Sequence, residues 1–114
     1  MSETADNRAE LARQAMAALD DALSHRPVKT GHDFSEAQRC LTALREKVIA
    51  RHRDHPSAES SDRLARLNAI ISVVYGGQFP IGAVPWDKVE QGRDAFARLL
   101  GEMGLVVDRA GAHS

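Results

Sequence analysis

Phe34, Ala37, Leu41, Leu44 and Val48 follow one another at steps of three, four, three and four residues. No other feature of the chain narrows its fold as much. An α-helix returns side chains to one face at that interval, whereas a strand changes face at every residue. An apolar, heptad-like stripe of this kind has to lie against a neighbouring helix, because leaving it in water forfeits the hydrophobic driving force. Cys40 and Ile49 widen the stripe.

The same rhythm returns on both sides. Leu11, Ala15, Ala18, Leu19, Ala22 and Leu23 share a face, flanked by Met16. Leu64, Leu67, Ile70, Ile71 and Val74 form a third stripe, and Val89, Phe96, Leu99, Leu100 and Met103 a fourth. Gly92 falls on that fourth stripe, where a missing side chain permits close approach of another helix at some cost in helix propensity. No alternating run argues for a sheet.

Punctuation separates the four segments. Arg26-Pro27 ends the first, since proline disfavours helical geometry in the residue before it. Val28 to His32 is a connection of ordinary length, and Asp33-Phe34-Ser35-Glu36 has the spacing of a capping box. His55-Pro56 closes the second segment, and Ser57, Ser60 or Ser61 can cap the third. Gly76-Gly77 reads as the stop of the third, Pro85 as the first residue of the fourth, and Gly101 with Gly104 as a frayed end. The expected helices are 4–25, 34–54, 58–76 and 85–103. The short links and matched lengths predict an all-α fold, a single-domain antiparallel four-helix bundle of up-down-up-down topology over residues 1–104. Residues 105–114 read as a loose tail, from which Leu105-Val106-Val107 can pack back.

Composition supports a globular chain: of 114 residues, 43% are hydrophobic and 27% charged. A domain of this size needs no disulfide or structural metal. Cys40 is the single cysteine, so no internal disulfide forms. The polar start lacks the apolar core of a signal peptide, and the longest apolar cluster, Ile70 to Tyr75, is far below the roughly 20 residues that span a bilayer. Cytoplasmic residence without membrane contact is the expectation. Twelve arginines against three lysines, with abundant alanine, point to a GC-rich bacterial genome.

The net charge of −1 gives no global field for nucleic acid. Residues 1–25 carry five acids against two arginines, and residues 34–55 five bases against three acids. Pairing with the acidic first helix therefore accounts for the basic face of Arg39, Arg45, Lys47, Arg51 and Arg53. Nucleic acid is a disfavoured partner.

Two constellations could carry function. His52 and His55, three residues apart, extend the second stripe and could supply two ligands to zinc, copper or nickel, or help hold a small ligand. Against a metal, Pro56 perturbs His55, Cys40 lies about three turns away, and the Glu-x-x-His signature of di-iron bundles is missing. A pair of surface histidines is the simpler reading. Cys40 reads as a buried thiol, and His25, His32 and His113 as solvated.

The aromatic distribution weighs more. Tyr75, Phe79, Trp86 and Phe96 fall close together, leaving only Phe34 elsewhere, and residues 79–84 are apolar and uncharged. Phe79, Ile81, Val84 and Trp86, beside Tyr75, either plug one end of the bundle or expose a patch that docks a protein partner or a second copy. The plug is the simpler arrangement, and the two are compatible. No nucleophile elbow, phosphate-binding glycine loop, dinucleotide fingerprint or zinc motif is present, and no cofactor is expected. The reading is a non-enzymatic interaction or accessory bundle using the 75–86 segment, with a metal- or small-ligand-binding bundle using His52 and His55 as the alternative.

Overall fold

The computed structural model describes residues 3–24 and 34–105. Four helices account for most of them: α1 Glu3–Ser24, α2 Ser35–Asp54, α3 Ala58–Gln78 and α4 Trp86–Glu102. No strand occurs among the described residues. At 17 to 22 residues each, the helices are roughly 25–33 Å long.

Each helix packs against its neighbour in the chain, and α1 also packs against α4, so the four close into a ring. Polar contacts fix the directions. Arg66 near the start of α3 meets Glu102 at the end of α4, 2.6 Å apart. Gln78 at the end of α3 donates to the Ser35 hydroxyl at the start of α2 over 3.0 Å. Arg93 early in α4 lies 3.5 Å from Asp20 late in α1. The protein is an all-α, antiparallel four-helix bundle in a single compact unit.

The core is one cluster along the bundle axis. Phe34, Ala37, Cys40, Leu41, Leu44 and Val48 are all buried, as the stripe of α2 requires. From α4 come Val89, Phe96, Leu99 and Leu100, and from α3 Leu67, Ile70 and Val74. In α1 the buried line is Ala12, Ala15, Met16, Leu19, Ala22 and Leu23, while Leu11 and Ala18 sit half-buried at its edge. The face is therefore turned slightly from the expected one. α1 must meet both α2 and α4, and it presents small residues to fit between them.

Two helix ends differ from expectation. The glycine pair does not stop α3, which runs two residues further to Gln78, with the Phe79 N–H donating to the Tyr75 carbonyl at 2.9 Å. Gly77 is buried there, and a Cβ on it would stand 3.2 Å from the Phe34 ring and from Val89. The glycine admits a neighbour instead of reversing the backbone. α4 does not fray at Gly104. Its φ of +76°, a Leu105 N–H bond to the Leu100 carbonyl at 2.8 Å and a Gly104 N–H bond to Gly101 at 3.2 Å make a Schellman close. Leu105 is buried against the core, and residues 106–114 lie outside the described residues. So do Asp33 of the expected capping box, His25, His32 and His113.

Candidate functional site

The bundle has two chemically distinct ends. At one, α1 begins, α2 ends, α3 begins and α4 ends. Here the histidine pair finds its surroundings.

The local sequence turns the chain sharply. α2 closes at His55, whose N–H donates to the Arg51 carbonyl at 2.9 Å. Pro56 blocks continuation, and extended Ser57 opens α3 with a capping box. The Ser57 hydroxyl accepts from the Ser60 N–H at 2.9 Å, and the Ser60 hydroxyl accepts from the Ser57 N–H at 3.1 Å. The Ser60 hydroxyl also engages His52 Nδ1, tying the last turn of α2 to the first turn of α3.

Around this turn is a cavity of about 200 Å³. Its lining combines His52, His55, Ser57 and Ser60 with three arginines, Arg8 of α1, Arg51 of α2 and Arg63 of α3. Val48 and Met103 form the apolar inner wall. Arg63 donates to the Glu102 carbonyl at 2.8 Å and to Glu59 at 3.2 Å, while its Nε is buried without an acceptor. Burial, and then the positive charge of Arg51, push the Arg8 guanidinium below its ordinary pKa. Among residues 8–24 and 34–105, whose side chains are described, no carboxylate stands within ion-pair distance of Arg8 or Arg51. The lining thus holds three arginines and no carboxylate.

No group of three or more His, Cys, Asp or Glu among the described residues could hold a metal ion. His52 and His55 do line one cavity, but three arginines line it with them, and a guanidinium is a cationic donor with no lone pair for a divalent cation.

At the opposite end the aromatic residues divide. Trp86 packs its ring on buried Phe34, with centroids 5.5 Å apart, and Val84 packs beside it, so these two cover the core. Phe79 and Ile81 do not join that plug. Tyr75 and Phe79 stack on each other at 4.9 Å with more than half of each exposed, and Ile81 is fully exposed. These three are the exposed large hydrophobics among the described residues. Next to them, Val84, Pro85, Trp86, Asp87 and Lys88 line a shallow hollow of about 410 Å³.

Among the described side chains, the basic face of α2 turns to several partners and shows no ion pair with α1. Arg39 bonds Glu36 within α2 at 3.2 Å, Arg45 reaches Asn68 of α3 at 3.3 Å, and Arg51 turns to the cavity. Cys40 is buried. Burial, then a hydrogen bond to Glu36, raise its pKa and hold the thiol protonated. No helix among the described residues is long and apolar enough to cross a membrane.

No protein-family model, curated protein or solved structure matches the chain. Sequence spacing brought His52 and His55 to notice. Nothing in the spacing joins Arg8 or Arg63 to them, because these arginines share the cavity only when α1 and α3 pack beside α2. Serines that look like helix caps turned out to be pocket wall as well.

Proposed function

We propose that this bundle is a non-enzymatic interaction module that self-associates through the end carrying Tyr75, Phe79 and Ile81. The carrying observation is that the exposed large hydrophobics gather in one uncharged segment instead of scattering. Exposed large apolar side chains that cluster, unlike ones scattered singly, are a mark of contact surfaces.

A second copy is the occupant this end fits best. Ile81 stands out as a knob and the hollow beside Trp86 lies three to seven residues further along the chain. A two-fold axis would seat each Ile81 in the hollow of the other subunit, the reciprocal arrangement of an isologous dimer. Because residues 79–84 carry no charge, two copies meet there without like-charge repulsion. The lone buried thiol and the arginine- and alanine-rich composition fit a bacterial cytoplasmic setting for such a module.

Sedimentation velocity over a concentration series tests this reading. The expected result is a monomer–dimer equilibrium for the natural chain and a monomer for Ile81→Asp. At concentrations where both are monomeric the melting temperatures should differ little, since a side chain already in water contributes within about 0.5 kcal/mol to folding. Trp86, the sole tryptophan, supplies a second readout, its emission moving to shorter wavelength on association. A natural chain that stays monomeric at every concentration, or an Ile81→Asp dimer as tight as the natural one, would overturn the proposal.

A further inference from the structure

We infer that the cavity between the end of α2 and the start of α3 is a binding site for a phosphate group, free or carried on a small organic molecule.

Three observations converge on this ligand. First, Arg8, Arg51 and Arg63, from three helices, line one small space together with His52, Ser57 and Ser60. Planar forks approaching from separate directions suit an oxyanion with several acceptor oxygens. Second, α3 is 21 residues long and its N-cap, Ser57, stands in the wall of the cavity, so its positive end adds to the arginine charge. Third, the charge is unbalanced. Glu59 and the Glu102 carbonyl take one end of Arg63 but leave its buried Nε without an acceptor, and the cavity lining itself holds three arginines and no carboxylate. Arg8 is half-buried beside the positive charge of Arg51, and an anion bound there relieves both its desolvation and that repulsion.

The dimensions choose among anions. At about 200 Å³ the cavity is smaller than the ~300–1,000 Å³ that drug-sized ligands occupy, and Val48 and Met103 give it an apolar inner side. A phosphate with a short organic substituent fills such a space, oxygens on the arginines and carbon on the valine and methionine. A divalent metal is disfavoured by the same cations.

The test is calorimetric titration of the full chain with inorganic phosphate and, separately, phenyl phosphate, at low ionic strength. Saturable one-site binding is expected, with the melting temperature rising as phosphate is added. Arg51→Gln is expected to weaken binding at least about tenfold, the loss typical of a charge-assisted hydrogen bond. Arg8→Gln repeats the test from a second helix. Arg53→Gln removes the same charge from an exposed position outside the cavity and should leave affinity within about twofold. Tighter binding of phenyl phosphate assigns the site to an organic phosphate, and tighter binding of inorganic phosphate to the free ion. Ile81→Asp should bind phosphate unchanged, which keeps this inference separate from self-association. The inference fails if neither heat nor a melting shift accompanies phosphate in the natural chain, or if Arg53→Gln weakens binding as much as Arg51→Gln. It also fails if zinc binds stoichiometrically and is lost in His52→Ala while phosphate does not bind.

Discussion

Gly76 and Gly77 are chemically identical neighbours in one helix, yet they have opposite parts in the fold. A Cβ on Gly76 would meet nothing within 4 Å, whereas one on Gly77 would press on Phe34 and Val89 at 3.2 Å. Both of those side chains are fully buried, so neither has room to retreat. Alanine in a helix is favoured over glycine by about 0.8–1.0 kcal/mol. Gly76→Ala should therefore raise unfolding free energy by roughly 0.5–1 kcal/mol. Gly77→Ala should lower it by about 1 kcal/mol or more, because overpacking outweighs the propensity gain. Denaturant unfolding of the two variants checks the contrast. Equal stabilisation by both would mean that the Phe34 ring yields. Cys40 makes a similar point about surroundings. Its thiol is raised in pKa by burial and by Glu36, so a thiol reagent should modify it no faster than the protein unfolds.

The ends of α3 and α4 beside the cavity show how one helix terminus can serve another. The Ser57 capping box holds the first turn of α3, and its Ser60 arm also holds His52. Ser57→Ala should cost about 1 kcal/mol, the usual loss for an N-cap serine. Gly104→Ala should cost about 1–2 kcal/mol, because φ of +76° is strained for any residue with a Cβ. Thermal melting of each variant supplies the check. Between these termini Arg66 grips Glu102 with two bonds of 2.6 and 3.0 Å. Hydrogen bonding from Arg66 holds the Glu102 carboxyl below its ordinary pKa, with the charges of Arg66 and Arg63 adding to the effect. A depressed carboxylate contributes its stabilisation above the unfolded-state pKa and loses it as pH falls through the folded-state value. Amide exchange at the end of α4 should therefore quicken on acidification through the carboxylate range, and Glu102→Gln should remove that pH dependence.

Across the molecule, the antiparallel ring sorts its chemistry by end. Phe34, Tyr75, Phe79 and Trp86 gather where α1 and α3 finish, and Arg8, Arg51, Arg63 and both described histidines gather where they start. A helix length separates the two groups, further than the distance beyond which substitutions act independently. The double variant Ile81→Asp with Arg51→Gln should thus change melting temperature by the sum of the single effects, within about 0.5 kcal/mol in free energy. Departure from that sum would point to coupling through the core.

Local pattern was enough for the architecture. The stripes of α2 and α4, the Ser57 cap and the Glu59–Arg63 and Asp62–Arg66 pairs depend on residues three or four apart, and such neighbours meet whatever the rest of the chain does. Everything that needed two helices lay beyond pattern. Whether Gly77 stops a helix or receives a ring depends on Phe34, more than forty residues away. Whether Ile81 plugs the bundle or meets water depends on Trp86 reaching Phe34 first. The phosphate-sized cavity depends on Arg8, Arg51 and Arg63 arriving from three helices at once. Helical periodicity is a property of adjacent turns, while a site is a property of surfaces brought together, and that meeting is settled by which helices share the ring.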